Sequence, residues 1–262
     1  MAVASPSAVP LSIVVPTYNE RERLPDLVRA LFKAYADAHL DGELIIVDDN
    51  SPDGTGQIAD DLAKQHRIAV LHRSGKLGLG TAVVAGFEAA SAPVVGVIDA
   101  DLSHPPEMPP RMLAVMRQTN ADIVIGSRYI PGGGTRNWPL FRSVMSRFAC
   151  LVAGSLTPVA DVTSGLFLIR RDLARGARIS AGGFKICLEL LVRSRPASVV
   201  EVPYIFSDRA AGESKMNTRE ALGYLTQLRD LRAFKRGQPP LRQAYRRITP
   251  QEFEQMVAPA VR

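Results

Sequence analysis

Cysteine is scarce in this chain: only Cys150 and Cys187 occur among 262 residues. Both have apolar neighbours, so we expect buried free thiols and no disulfide framework. Long apolar runs are missing as well. No stretch of 18 or more apolar residues occurs, and no transmembrane helix is therefore predicted. Residues 1–10 lack charge and the basic start of a signal peptide, so we expect a disordered leader and a cytosolic protein.

Internal repeats and low-complexity tracts are also absent. Hydrophobic residues make up 46% of the sequence, which is enough for a sizeable core in one large α/β domain, with or without an appendage. The net charge of +6 is unevenly distributed, because residues 219–262 contain nine Lys or Arg and only four Asp or Glu. A basic segment of this kind suggests an anionic partner, either phospholipid or nucleic acid. A solvated tail without a partner is an equal alternative.

Apolar segments and helical patterns alternate through the first half of the chain. This order predicts a mostly parallel sheet with helices on both faces, whose ligands bind beyond the carboxyl ends of the strands. The predicted strands are 11–16, 43–48, 68–72, 94–98, 123–127 and 198–202, and a loop enters a further strand within 162–169. The predicted helices are 21–39, 54–65, 79–90, 106–120, 142–156, 184–195 and 218–236.

The last of these helices has an apolar stripe flanked by basic residues. The stripe consists of Ala221, Tyr224, Leu225, Leu228 and Leu231. Such a helix can lie in a membrane interface, or it can pack on its own domain, and the pattern favours neither. We therefore divide the chain into a leader (1–10), a catalytic domain (11–215), an amphipathic interfacial helix (216–236) and a basic tail (237–262) that ends in a short helix and a frayed end.

The most informative segment is the apolar run at 94–98, which leads into Asp99 and Asp101. Side chains two residues apart at a strand end share one face, so these two carboxylates would lie close together. Two anions at that distance repel unless a cation or protons neutralise them. A divalent metal that also binds a phosphate does this well. The alternative is a loop that contains two aspartates by chance.

Two further motifs follow predicted strands. Residues 16–20 (Pro-Thr-Tyr-Asn-Glu) place an aromatic ring and a carboxylate where a nucleobase or ribose could bind, or they form a helix N-terminus. Residues 48–55 (Asp-Asp-Asn-Ser-Pro-Asp-Gly-Thr) offer carboxylates to ribose hydroxyls or base N–H groups, or they form an ordinary turn before a capped helix. Each of these two motifs alone is weak evidence for nucleotide binding. Together with the Asp99 and Asp101 pair, in this order and at these strand ends, they are specific evidence.

With these motifs the chain resembles the family 2 glycosyltransferases of the A-type nucleotide-sugar-binding fold. More narrowly, it is similar to dolichyl-phosphate and polyprenyl-phosphate β-mannosyltransferases. The resemblance covers residues 11–235. It is carried by residues 15–20, 47–55, 77–80, 99–105, 126–129 and 208–215.

The resemblance implies roles for individual residues. It assigns the guanosine part of a nucleotide sugar to Pro16, Tyr18, Glu20, Val47 and Asp49. It assigns the pyrophosphate to Asp99, Ala100 and Asp101, and a divalent metal, Mg²⁺ or Mn²⁺, to Asp99, Asp101 and Ser103. Some family members have Gln where Ser103 stands, and serine is a shorter and weaker oxygen ligand. Asp101 is therefore the safer ligand. His104 is expected to be a loop residue before Pro105, with metal ligation as the alternative.

Cationic side chains complete the implied site. Phosphate groups on both substrates require such partners. The resemblance assigns the acceptor phosphate to Arg128, Arg142 and Ser146, and a catalytic centre to Asp101, Arg128, Lys185, Arg209 and Lys215. The turn at 161–165 also resembles that of the family and either borders the acceptor or is a plain loop.

The resemblance thus implies an inverting enzyme that transfers mannose from GDP-mannose to a dolichyl or polyprenyl phosphate. It would act on the cytoplasmic face of a membrane, bound peripherally or through a separate membrane-anchoring protein, and it would not bind nucleic acid. The same chemistry with another donor, such as UDP-glucose, is the closest alternative. A nucleotide-sugar pyrophosphorylase is disfavoured, because residues 16–20 lack a glycine-rich basic signature. A basic nucleic-acid-binding protein would leave the carboxylate clusters unexplained.

Overall fold

The computed structural model describes residues 10–177, 179, 185–208 and 218–258, with the side chains of 218–221 left out. Its main sheet has eight strands in the order β10-β8-β5-β7-β4-β1-β2-β3, and β6 pairs separately with β9. The strands are β1 Leu11–Thr17, β2 Glu43–Asp48, β3 Ile68–His72, β4 Val94–Val97, β5 Ile123–Ser127, β6 Gly134–Arg136, β7 Phe167–Arg170, β8 Ser198–Pro203, β9 Ile205–Ser207 and β10 Ala244–Arg247.

Helices cover both faces of this sheet. They are α1 Leu24–Asp37, α2 Thr55–Ala63, α3 Leu79–Ala89, α4 Met108–Thr119, α5 Leu140–Ala153, α6 Arg171–Gly176, α7 Ile186–Arg193, α8 Thr218–Arg236 and α9 Pro250–Val257. Alternate residues of β1 enter different cores: Ile13 packs on the side of α1 and α4, and Val14 on the side of α3. This is the alternation that a strand buried on both faces requires. The predicted mostly parallel sheet with helices on both faces is confirmed.

Close packing between α3 and β1 depends on a glycine. A methyl group on Gly86 would lie 2.4 Å from Cγ1 of Val14, so no larger residue fits without moving the helix. As a result, α3 packs directly against β1, whose carboxyl end carries residues of the predicted nucleotide site.

One central strand runs against the others. β7 lies between β4 and β5 and pairs antiparallel with both, whereas every other pair in the main sheet is parallel. The loop that enters β7, residues 161–166, therefore reaches the same edge of the sheet as the carboxyl ends of β1, β2, β4 and β5.

The C-terminal segment differs from the basic tail that we predicted for residues 237–262. Within it, β10 pairs parallel with β8 and extends the main sheet. Phe253 and Val257 of α9, the expected short helix, are buried in the core on the side of α4. Arg111 of α4 also donates to Glu254 at 2.5 Å. The basic composition of the tail therefore concealed a strand and a helix that belong to the catalytic fold.

The predicted interfacial helix, α8, packs on the domain through part of its apolar stripe. Leu228 and Leu231 are fully buried, whereas Leu225 is 57% exposed. Arg232 and Lys235 donate hydrogen bonds to main-chain oxygens of Val152 and Leu156 at 2.9 and 2.8 Å, near the C-terminus of α5. A helix C-terminus carries partial negative charge that such cations stabilise. For Leu228 and Leu231, packing is therefore the correct alternative and membrane insertion is wrong.

Candidate active site

The loops that follow β1 and β2 are joined by hydrogen bonds. The backbone N–H of Asn19 donates to Ser51 Oγ at 3.0 Å, and that of Glu20 donates to Thr55 Oγ1 at 3.0 Å. Asp48 accepts from the backbone and the hydroxyl of Ser51 at 3.0 and 2.5 Å. The two weak motifs of the sequence thus form one surface at the carboxyl ends of neighbouring strands.

Asp49 is less accessible than its predicted nucleotide-binding role suggests. Its side chain is 8% exposed and accepts from Arg73 Nη1 at 2.6 Å and from the backbone of Gly78 at 3.0 Å. Arg73 also donates to Thr81, at the start of α3. The carboxylate therefore fixes the loop 73–78 beside the strand ends, a function that the sequence did not indicate.

The other predicted nucleotide-binding residues differ in exposure. The ring of Tyr18 is 37% exposed, and Lys76 Nζ lies 3.9 Å from its centroid, which is a cation–π contact. Pro16 and Glu20 are half-buried. The side chain of Val47 is fully buried in the core, so it can reach a ligand only through its main chain.

The two aspartates of the metal motif lie in a turn and not on the strand, because β4 ends at Val97. Asp99 has a side chain that is 40% exposed, and Asp101 accepts from the backbone and hydroxyl of Ser103 at 2.9 and 2.5 Å. Ala100 and Ser103 are buried. Leu102 between them has φ 61°, in the left-handed region that a branched side chain disfavours. Such strain is typical of functional turns.

His104 contacts Asp99 and not solvent. Its side chain is 1% exposed, its Nε2 lies 3.1 Å from Asp99 Oδ2, and its buried Nδ1 has no hydrogen-bond partner among the described residues. A methyl group on Gly165 would lie 3.0 Å from Asp99 Oδ2, so the loop before β7 approaches this pair closely. His104, which we expected to be a loop residue, is therefore buried and orients the carboxylate of Asp99.

The donor set at this turn suits a partly enclosed cation. No group of three or more His, Cys, Asp or Glu side chains in the described part of the chain could hold a metal ion by itself. Asp99 and Asp101 nevertheless supply hard oxygen atoms, and Asp99 lines a cavity that is described below. Mg²⁺ is commonly bound by one or two carboxylates together with phosphates and water, which is the arrangement that these residues fit. The Ser103 hydroxyl donates to Asp101, which leaves lone pairs on its oxygen, so its role as a metal ligand stays a prediction.

Arg128 forms a buried ion pair that the sequence did not indicate. It donates through Nε and Nη2 to the two carboxylate oxygens of Asp161, both at 2.7 Å, and through Nη2 to Thr163 at 2.9 Å. Its guanidinium also lies 5.0 Å from the Trp138 ring and 5.6 Å from the Phe206 ring. Burial by itself would lower the pKa of Arg128, but the hydrogen bonds and charge of Asp161 outweigh it and raise the pKa. Arg128 is thus permanently charged and rigidly held.

The other predicted acceptor-site residues lie on α5. Arg142 donates to both oxygens of Asp208 at 2.9 and 3.0 Å and lies over the ring of Trp138. The hydroxyl of Ser146 lies 3.2 Å from that of Thr163, which is also bonded to Arg128. Thr163 therefore connects two of the three residues that we assigned to an acceptor phosphate.

A cavity of about 770 Å³ unites these groups. Its polar lining includes Asp99, Arg128, Arg142, Ser146 and Lys185, all of them predicted site residues. Its apolar lining includes Phe141 and Phe148 of α5 and Leu225 of α8. Arg209 and Lys215, the other two predicted cations, lie outside the described residues. A single cavity is thus lined by both charged and apolar side chains.

The three apolar lining residues named above also belong to an exposed apolar surface. We call this surface the α5 face, and it consists of Leu140, Phe141, Val144, Phe148 and Leu151 of α5 with Leu222 and Leu225 of α8. These side chains are between 55% and 80% exposed. Contiguous apolar patches of this kind usually mark a site of contact with protein, ligand or membrane.

Sequence comparison relates the chain to known enzymes. The profile described as "Glycosyl transferase family 2" matches residues 12–176. The chain is 41% identical to the polyprenol monophosphomannose synthase of Mycolicibacterium smegmatis, over 80% of this chain and 83% of that one. It is 35% identical to the dolichol-phosphate mannosyltransferase of Saccharomyces cerevisiae, over 88% and 90%. It is 39% identical to that of Pyrococcus furiosus, over 82% of this chain but only 61% of the longer archaeal protein.

Solved structures of low sequence identity share the fold. Glucosyl-3-phosphoglycerate synthase from Mycobacterium tuberculosis, in complex with Mn²⁺ and UDP, aligns with a TM-score of 0.61 at 20% identity over 89% of this chain and 82% of that one. S. aureus TarS in complex with UDP-GlcNAc aligns with a TM-score of 0.63 at 17% identity over 96% and 71%. These likenesses show the A-type glycosyltransferase fold.

Proposed function

The chain belongs to glycosyl transferase family 2, and on that premise we propose that it transfers mannose from GDP-mannose to a dolichyl or polyprenyl phosphate. The products would be a β-linked polyprenyl phosphomannose and GDP, with inversion at the anomeric carbon. The observation that carries the proposal is the single cavity whose lining combines charged and apolar side chains. A phosphate attached to an isoprenoid chain has the same two-part chemistry.

The donor would bind across the carboxyl ends of β1, β2 and β4. Tyr18, Glu20 and Asp49, with main-chain atoms of Pro16 and Val47, are the proposed guanosine site. Asp99, Ala100 and Asp101 are the proposed pyrophosphate end, where Asp99 and Asp101 would hold Mg²⁺ or Mn²⁺. A divalent metal there would neutralise the charge that develops on departing GDP. His104 would keep the Asp99 carboxylate turned toward the cavity through the contact at 3.1 Å.

The acceptor phosphate would bind to the polar side chains that line the same cavity. Arg128, Arg142 and Ser146 are the proposed phosphate partners, and Lys185, Arg209 and Lys215 are proposed for the reaction centre. A phosphate monoester has a second pKa near 6, so it is already an anion at neutral pH. One of its oxygens would form the new bond to the anomeric carbon while the bond from that carbon to the GDP oxygen breaks. No residue is needed to remove a proton, and positioning and charge stabilisation supply the catalysis.

The lipid chain of the acceptor implies a membrane surface. No helix within the described residues is long and apolar enough to cross a membrane. The α5 face shares Phe141, Phe148 and Leu225 with the lining of the cavity, which supports peripheral binding to a membrane. We propose that the protein binds the cytoplasmic face. A separate membrane-anchoring protein is a compatible addition. We therefore assign membrane binding to the α5 face and not to the apolar stripe that the sequence predicted on α8. Leu225 is the one residue that the two share.

Product analysis tests the proposal directly. The purified protein is incubated with GDP-mannose or UDP-glucose, a polyprenyl phosphate and Mg²⁺ or Mn²⁺, and the lipid product and the released nucleotide are identified by mass spectrometry. We expect a polyprenyl phosphomannose and GDP, and loss of both after chelation with EDTA. Transfer only from UDP-glucose would overturn the assignment of the donor.

Two variants test the cations of the C-terminal motif. Arg209→Ala and Lys215→Ala should each reduce kcat/KM strongly with little loss of thermal stability, since losing a charged contact in a desolvated site costs about 2–5 kcal/mol. If Lys215→Ala has unchanged kinetics, the motif at 208–215 has no role in the reaction. An electrophoretic shift assay with DNA and RNA addresses the nucleic-acid alternative.

A further inference from the structure

Two fully buried carboxylates, Asp161 and Glu201, have no part in the proposed reaction. Both have 0% exposure. A buried carboxylate is costly unless it is paired and hydrogen-bonded, so each must have a set of compensating partners. Those partners form one continuous chain of contacts from the edge of the sheet to Arg128.

Glu201 binds the backbone of the loop that carries Asp161. Glu201 lies in β8, and its Oε2 and Oε1 accept from the backbone N–H groups of Ala160 and Asp161 at 2.9 and 3.0 Å. These two bonds determine where the loop lies relative to the sheet. Because Arg128 follows β5, the neighbouring strand of β8, the same bonds set the distance between Asp161 and Arg128.

Asp161 in turn determines the orientation of Arg128. Its carboxylate accepts the backbone N–H of Arg128 at 3.0 Å as well as the two guanidinium bonds at 2.7 Å. Thr163 donates to Asp161 at 3.1 Å and lies 3.2 Å from Ser146. A displacement of Asp161 would therefore move both Arg128 and the hydroxyl pair beside it.

The far end of the chain of contacts is held by β10. The hydroxyl of Tyr245 donates to Glu201 Oε2, and Arg247 Nε donates to that hydroxyl at 2.6 Å. Arg247 also lies 3.9 Å from Glu201, which balances the buried charge. Both β8 and β10 lie outside the region 12–176 that matches the family profile.

We propose that Glu201 and Tyr245 are positioning residues for the acceptor site. They hold the loop 160–161 so that Asp161 presents Arg128 and Thr163 to the acceptor phosphate. The role rests on the proposed function, because it takes Arg128 to bind that phosphate. The hydrogen bonds of this network lead to Arg128, Thr163 and Ser146, so we expect it to affect acceptor binding more than donor binding.

The test uses Tyr245→Phe, which removes one hydroxyl from a half-buried side chain. Arg246→Ala is the matched control, because Arg246 lies on the same strand, is exposed and pairs with Glu252 at 3.1 Å. Steady-state kinetics of the full chain with farnesyl phosphate and GDP-mannose give KM for each substrate. We expect Tyr245→Phe to raise the acceptor KM about five- to tenfold, the size of effect that loss of one buried hydrogen bond produces. The donor KM should stay at the wild-type value, and Arg246→Ala should change neither.

A double-mutant cycle with Arg128→Lys tests the route of the effect. Lysine cannot form the bidentate pair, so Tyr245→Phe should add little to the acceptor KM in that background, whereas independent effects would multiply. Calorimetric titration with farnesyl phosphate provides the same comparison if Arg128→Lys turns over too slowly. Glu201→Gln, which places an amide N–H₂ against a backbone N–H, should exceed Tyr245→Phe in effect.

Two results would overturn the inference: equal increases of both KM values in Tyr245→Phe, or full multiplicativity in the cycle. A wild-type protein without mannosyl transfer would instead refute the proposed function. In that case farnesyl phosphate titration still tests whether Tyr245 affects phosphate binding.

Discussion

The α5 face gives the sharpest quantitative prediction. Leu140 and Leu151 are 80% and 75% exposed, and neither lines the cavity. Full burial of a leucine side chain contributes about 1.5–3 kcal/mol, so insertion of the exposed part of each into a membrane interface would contribute about 1.1–2.4 kcal/mol. For the pair Leu140→Ser and Leu151→Ser, the loss of about 2.3–4.6 kcal/mol corresponds to a roughly 50- to 2,500-fold weaker partition coefficient.

Cosedimentation with vesicles measures this effect. Wild type and the double variant are centrifuged with vesicles of phosphatidylglycerol and phosphatidylcholine at low and high salt. Basic residues near an anionic bilayer add a salt-sensitive contribution of about 1 kcal/mol each, whereas the contribution of the leucines should persist at high salt. The double variant should still transfer mannose to farnesyl phosphate but lose activity on a long polyprenyl phosphate embedded in vesicles.

The control is Leu241→Ser, because Leu241 is 46% exposed but lies outside the α5 face. Substitutions at exposed positions rarely change stability by more than about 0.5 kcal/mol, so the unfolding midpoints should agree with wild type. The reasoning is refuted if the double variant and Leu241→Ser bind vesicles equally well, or if wild type stays in the supernatant at low salt.

Three further measurements test the site and the fold. Asp101→Asn should reduce turnover about 100-fold or more with the fold intact, and near wild-type turnover in metal-replenished buffer would contradict the metal role. Burial tends to raise the pKa of Glu43, but hydrogen bonds from Ser12 and Ser91 outweigh it and hold the pKa below the usual 4.5. The ionised Glu43 side chain therefore stabilises the fold above pH 4.5, and this stabilisation is lost as the pH falls through its folded-state pKa. In urea unfolding, Glu43→Gln should be less stable than wild type at pH 7 and closer to wild type in acid. A difference in unfolding free energy that does not change with pH would refute this. Burial raises the pKa of both Cys150 and Cys187, so Ellman's reagent should react with them only after unfolding, and rapid reaction in the native protein would disagree.

The local sequence pattern was sufficient to predict most helices and strands and the motifs that follow the strand ends. The bounds of β2, β3, β5 and α8 agree with prediction to the residue, because each apolar or amphipathic run is bounded by turn or charged residues. Parallel strands bring their carboxyl ends to one edge, so the sequence also predicted that Tyr18, Asp49, Asp99 and Arg128 would converge.

Tertiary structure alone decided the direction of β7, the place of β10 and the partners of the site residues. A strand's apolar pattern is the same in either direction, so the sequence contains no sign that β7 runs antiparallel. β10 has the exposed, basic composition of a tail, and only pairing with β8 makes it a strand.

The ion pair of Arg128 with Asp161 joins residues 33 positions apart, and Glu201 is 40 positions from Asp161. Such pairs form because the sheet brings distant loops to one edge, where a buried charge requires a partner. The sequence determined which chemical groups lie at the strand ends, and the packing of the sheet determined which of them bind one another and which face the cavity.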